Sequence, residues 1–156
     1  KGATASVFGD IFLDDLRSHR ENKLAEINLI GIFPLWKIPT NRLIREFIDL
    51  GFKTIVTCVN EKHLDQSFVG RVIDNDFLKD LPDSVDPCGE NGEFHTFVFD
   101  GPIFNQPIPF EKGEVVYRKY QSEKQESSSA TNKNSVDDPF DYGFWYCDLL
   151  PKSALQ

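Results

Sequence analysis

Residues 86–102 read Asp-Pro-Cys-Gly-Glu-Asn-Gly-Glu-Phe-His-Thr-Phe-Val-Phe-Asp-Gly-Pro, a turn crowded with reactive side chains that runs straight into an apolar strand. Gly89 and Gly92 can take backbone angles that side chains forbid, so the turn can aim Glu90, Glu93 and Thr96 at one small volume. Two carboxylates at the mouth of a strand suit a cation, an ammonium group or a proton relay. The competing reading is a glycine-rich hairpin turn with solvated acids. Thr96 can donate a hydrogen bond to a ligand. Cys88 and His95 also admit a nucleophile–base pairing, although a buried thiol and a strand histidine account for them with less.

Four further residues stand where a strand or helix could present them. Asp10 follows a strand and a glycine; it suits a ligand or magnesium contact, or simply faces the positive end of a helix. Arg20, mid-helix, carries a bidentate guanidinium fit for a phosphate or carboxylate, or lies on a solvated face. Trp36, after Pro34-Leu35, could stack on a base or pack against the core. Arg71, after Gly70, could bind phosphate or a substrate carboxylate, or pair with an acid such as Asp74. His19 and His63 read as surface residues, and no spacing supports a zinc site.

The elements that must position these residues follow from the apolar pattern. Thr4–Phe8 is β-prone and ends at Gly9-Asp10. Phe12–Ile27 has Leu13, Leu16, Leu24 and Ile27 near helical spacing. Leu29–Phe33 is a short strand closed by Pro34. Thr40 is placed to cap a helix carrying Leu43, Ile44, Phe47 and Ile48 on one face, with Gly51 just past its end. Phe52–Val59 is a strand rich in β-branched residues. This alternation predicts an α/β fold with a Rossmann-like parallel sheet, in which ligands bind beyond the carboxyl ends of the strands. From residue 61 the texture changes: a helix over 74–81, then strands over 94–99, 115–119 and 144–150. The expected organisation is therefore a part of a nucleotide-binding domain over residues 1–60 and a smaller α+β lobe over 61–156. The segment 121–138, nearly without apolar residues, is expected to be a solvated, flexible loop.

The turn resembles the C-terminal signature of the ATP-binding diphthine–ammonia ligase family, within the pyrophosphate-loop superfamily: roughly C-G-E-G-G-E-[YF]-[EH]-T, an apolar strand, then D-x-P-[LI]-F. Cys88 to Thr96, then Asp100, Pro102, Ile103 and Phe104, fit it. Phe8-Gly9-Asp10-Ile11, Arg20-Glu21, Pro34-Leu35-Trp36 and Gly70-Arg71 follow the family pattern in the same order. The resemblance covers roughly residues 2 to 119. Asn91 and His95 depart from the version that makes diphthamide and look more like a bacterial branch.

The resemblance implies a nucleotide-binding fold of the adenine-nucleotide alpha-hydrolase type and an ATP-dependent amidoligase, with ATP and magnesium as cofactors. It implies that a carboxylate, on a protein residue or a small molecule, is activated as an acyl-adenylate and then attacked by ammonia or an amine. Glu90 and Glu93 would be catalytic. Asp10, Arg20, Trp36, Arg71, Gly89, Gly92 and Thr96 would contact nucleotide or substrate. The alternative is a nucleotide-binding protein without catalysis. Family members carry an N-terminal loop of the type S-G-G-K-D-S that cradles ATP. These residues contain no such loop and no methionine, so the expectation is a fragment that begins inside a domain.

Composition narrows the partners. The 156 residues are 40% hydrophobic with a formal net charge of −8, which argues against a general nucleic-acid surface. No apolar run approaches the ~20 residues of a membrane helix. Three separated cysteines predict neither a disulfide framework nor a metal motif, and fit reduced thiols in the cytoplasm. A homo-oligomer is compatible with all of this.

Overall fold

A computed structural model of the chain describes residues 2–119 and 142–152. The flexible loop expected at 121–138 lies outside the described residues. The chain is mixed α/β and divides into two compact units, residues 1–43 and 44–156.

In the first unit, strand β1 (Ala5–Val7) pairs in parallel with β2 (Ile30–Ile32), joined through helix α1 (Asp14–Ala25). The connection is long enough for the crossover that parallel strands require. Asp14 and Asp15 in its first turn and Lys23 in its last oppose the helix dipole. The apolar face expected on α1 is not buried: none of its residues falls in the core, and Leu16 is exposed.

Helix α2 (Thr40–Asp49) crosses from the first unit into the second and buries Ile44. Its end confirms the reading of Gly51. That residue has φ +85°, its N–H donates to Ile48, and the N–H of Phe52 donates to Phe47. These are the paired bonds of a glycine-terminated helix, and the accompanying apolar contact is the stack of Phe47 on Phe52 at 4.8 Å.

The second unit holds β3 (Lys53–Asn60), α3 (Asn75–Asp80), β4 (Phe94–Asp100), β5 (Phe110–Lys119) and β6 (Gly143–Pro151). The four strands form one sheet in the order β4-β3-β6-β5, and every neighbouring pair in it is antiparallel. Here the structure departs from the expected parallel sheet. Strand β3 was expected beside β1 and β2; it instead runs between β4 and β6. The reason lies in burial. Six of its eight residues are buried, which produces the unbroken apolar texture of a parallel strand without being one. The division between units accordingly falls before β3, whereas the change of texture near residue 61 marks only the end of that strand.

The core of this unit gathers Ile44, Val56, Val59, Leu64, Phe68, Phe77, Phe94 and Cys147. Phe77 meets Phe68 and Phe94 edge-on, with centroids 5.7 and 6.0 Å away. Asp74 caps α3 by accepting from the N–H groups of Asp76 and Phe77. No helix among the described residues is long and apolar enough to cross a membrane.

Candidate functional site

The turn from Asp86 to Glu93 is built around two carboxylates. Asp86 accepts from the N–H groups of Cys88 at 2.8 Å and Glu90 at 3.4 Å, folding the chain back as aspartate does in turns. Its backbone carbonyl takes the N–H of Gly89. Glu93 then closes the loop. Its side chain accepts from the Asp86 N–H at 2.9 Å, the Asn91 N–H at 2.8 Å and the Asn91 Nδ2 at 3.1 Å. Asn60, at the end of β3, anchors the assembly: its N–H donates to the Glu93 carbonyl and its side-chain amide reaches the Gly92 carbonyl.

Glu93 is 1% exposed. Burial pushes its pKa up, but the hydrogen bonds from Asp86 and Asn91 outweigh that and hold the carboxyl below its ordinary value. It is an ionised group fully occupied in shaping the turn. Glu90 is only half-buried. The two glutamates therefore occupy different environments, a distinction that their spacing in the sequence does not carry.

The glycines also differ. Gly89 has φ +74°, and a Cβ there would lie 2.9 Å from the Phe94 carbonyl oxygen; Gly92 has φ +83° with nothing within 4 Å. Gly89→Ala should cost about 2–3 kcal/mol, backbone strain plus overlap, and Gly92→Ala about 1 kcal/mol from strain alone. Urea midpoints of the two variants test this order, and equal losses would contradict it.

Cys88 is a poor nucleophile in this setting. Burial, followed by the charges of Asp86 and Glu90, pushes its thiol up to about 12. Iodoacetamide should therefore label it slowly at pH 8, and Cys88→Ser should keep whatever activity the protein has. Rapid labelling with a midpoint near pH 8 would contradict this. His95 stands on β4 opposite Cys58 and is exposed.

Thr96 is the next residue along β4, exposed, where it lines a cleft of about 570 Å³ that neither glutamate of the turn lines. Arg71 is also in this unit. It pairs with Asp80 at 2.8 Å, not with Asp74, and lies over the rings of Phe68 and Phe77. Its contacts are those of a packing residue with one partly exposed ion pair.

Asp10, Arg20 and Trp36 belong to the first unit. Arg20 grips Asp10, with Nε 2.7 Å from one carboxylate oxygen and Nη2 3.4 Å from the other. The closer contact is off the N–H axis, so it counts as an ion pair rather than an aligned hydrogen bond. Arg20 also covers the Phe8 ring at 4.5 Å. The Trp36 ring has Arg17 over it at 4.6 Å. As arranged, these groups engage one another, the guanidinium of Arg20 with a carboxylate and the indole with a guanidinium, but Asp10 Oδ2 and Arg20 Nε are buried without an aligned hydrogen bond.

Asp86, Asn91 and Asn60 were not singled out as site residues from the sequence. Asp86 had a readable signal, an Asp-Pro two residues before a buried-turn cysteine and ahead of Gly89. Asn60 had only its place at the carboxyl end of a strand, because its role depends on the pairing of β3 with β4. No group of three or more acids, histidines or cysteines placed to hold a metal occurs among the described residues.

A mixed α/β chain whose antiparallel sheet carries an acid-pinned Cys-Gly-Glu turn defines the class, and comparison with known proteins specifies the family. Residues 39–127 match the family described as Diphthamide synthase C-terminal domain. The chain is 32% identical over 113 residues to the diphthine–ammonia ligase of Homo sapiens, covering 69% of this chain and 42% of that protein. It is 31% identical over 116 residues to the diphthine–ammonia ligase of Danio rerio, covering 69% and 44%. The chain belongs to the diphthine–ammonia ligase family. It spans less than half the length of these relatives.

Proposed function

We propose that the protein to which this chain belongs is an ATP-dependent amidoligase that converts a carboxylate into an amide. The observation that carries the reading is the turn, in which buried Glu93 consumes three hydrogen bonds and so holds half-buried Glu90 at a fixed place. Membership of a family whose relatives are named diphthine–ammonia ligase supports the reaction class.

The chemistry proceeds in two steps. An acceptor carboxylate oxygen attacks the α-phosphorus of ATP; the bond to the β-phosphate oxygen breaks and pyrophosphate leaves. Ammonia or an amine then attacks the acyl carbon, and AMP leaves with the carboxyl oxygen. Adenylation is needed because a bare carboxylate is a poor electrophile. Glu90 holds the ammonium by charge and takes the proton it must lose before it can attack. Glu93 is a positioning residue. The protein's contribution is placement and charge stabilisation.

The first unit, residues 1–43, is proposed to contribute to a nucleotide-binding domain and the second, residues 44–156, to the acceptor side. Asp10, Arg20 and Trp36 are proposed to meet the nucleotide only after their present partners are exchanged, since each is already engaged. The described residues do not gather a donor set for magnesium, and no step is assigned to it here.

The test is to incubate the full-length protein with ATP, ammonium and a panel of carboxylates and to follow AMP. AMP release that requires both ammonium and one carboxylate supports the reading. Release of ADP, or binding of ATP with no AMP under any condition, overturns it.

A further inference from the structure

The turn that holds Glu93 also carries a reactive pair of its own. Asn91 is the one asparagine of the chain that is followed by glycine. In such a pair the glycine's backbone nitrogen can attack the asparagine's side-chain amide carbon, because the glycine has no side chain to hinder the approach. Asn91 is exposed, and a Cβ built on Gly92 would meet nothing within 4 Å. Closure of a succinimide ring therefore has room, and water can reach the product.

What restrains the pair is Glu93. One oxygen of its carboxylate accepts from the Asn91 N–H at 2.8 Å, the other from the Asn91 Nδ2 at 3.1 Å. The amide that must be attacked is thereby tied down. The attacking nitrogen is tied as well, since the Gly92 N–H donates to the Gly89 carbonyl at 3.2 Å. A nitrogen that shares its proton with a carbonyl is not free to lose it. Both contacts must open before the ring can close.

We infer that Asn91 is a site of spontaneous deamidation, gated by the side chain of Glu93. The Gly92 nitrogen gives up its proton and bonds to Asn91 Cγ. The Cγ–Nδ2 bond breaks, and Nδ2 takes up a proton and leaves as ammonia. Water then adds to either carbonyl of the imide and opens it, giving aspartate or isoaspartate. Either product sets a carboxylate where an amide donor faced Glu93, and two like charges there repel. Isoaspartate also inserts a methylene into the backbone of the turn. The modified turn does not reclose in its original form, so the change runs one way. It needs neither nucleotide nor acceptor and stands apart from the amidoligase reading.

Peptide mapping by mass spectrometry at pH 8 tests it. Native wild type should deamidate at Asn91 about tenfold more slowly than the same chain in urea, because opening breaks bonds to an ionised acceptor. Native Glu93→Gln should deamidate faster than native wild type. Gly92→Ala separates chemistry from stability. The alanine strains the turn, which by itself would speed the reaction, yet its methyl group should make Asn91 slower to deamidate than wild type, both native and in urea. Asn91→Asp, which imitates one product, should unfold at lower urea than wild type. The inference is overturned by an Asn91 that stays intact in urea, by equal rates in native and unfolded wild type, by a Glu93→Gln rate no higher than wild type, by a Gly92→Ala chain as fast as wild type, or by an Asn91→Asp midpoint that does not move. Absence of AMP in the ligase assay would leave it standing.

Discussion

Glu93→Ala is expected to destabilise the second unit by about 3 kcal/mol or more, a large fraction of what holds a single domain together. The substitution removes an ionised acceptor that is 1% exposed and strands the N–H groups of Asp86 and Asn91 and the Asn91 side-chain amide. A buried donor left without a partner costs about 1–3 kcal/mol, a penalty that falls mainly on the half-buried Asp86 N–H, since Asn91 is exposed and can turn to water. Glu93→Gln keeps one acceptor oxygen but points an NH₂ at a donor, so it should fall between wild type and alanine. Urea unfolding of the three forms measures this, and a loss below about 1 kcal/mol in alanine would mean that the turn is held otherwise. The same group gives a pH signature. Its folded carboxyl titrates below the ordinary value of 4.5, so its stabilisation is complete above that value and is lost as pH falls through the lower folded one. Other acids share that window, Asp100 beside Lys53 among them. The diagnostic quantity is therefore the difference in acid slope between wild type and Glu93→Gln, which should be positive.

Glu90→Gln is expected to leave folding intact and to reduce amide formation by about 10²–10⁴-fold, the range of a lost general base. The first half-reaction, measured as exchange of labelled pyrophosphate into ATP in the presence of the acceptor, should persist. A variant that loses exchange and amidation equally would place Glu90 on the nucleotide side instead. A second readout needs no substrate. The Glu90 charge is one of the causes that push the Cys88 thiol up, so the glutamine variant should be alkylated faster at Cys88 than wild type. An unchanged labelling rate would show that the carboxylate does not face that thiol, and the geometry assigned to Glu90 would be withdrawn.

The two glutamates show how far a sequence reading reaches into this site. Glycines at 89 and 92 announced a turn with unusual backbone angles, and both have positive φ. Three positions separate the two acids, and nothing in that spacing says which is buried. The decision comes from Asn60, brought alongside by β3–β4 pairing, and from Asp86, whose side chain turns the chain so that Glu93 meets two N–H groups. Arg71 makes the same point. An ion pair with an acid such as Asp74 is the alternative that the sequence offers to ligand binding; Asp74 spends its carboxylate on the first turn of α3, and Asp80 takes the guanidinium.

What the sequence by itself determined was local. Helix and strand positions, the glycine end of α2, the mixed α/β class and the family signature are written in short windows, because caps, turns and apolar periods act over a few residues. Strand partnership was decided only in three dimensions. An apolar run such as β3 is equally suited to parallel or antiparallel neighbours, and its choice depends on segments 34 and more residues away, in β4 and β6. That choice moved the boundary between units, buried Glu93 and left Glu90 half-exposed. It also set the irregularity at Thr57, because a bulge exists only where two strands meet out of step.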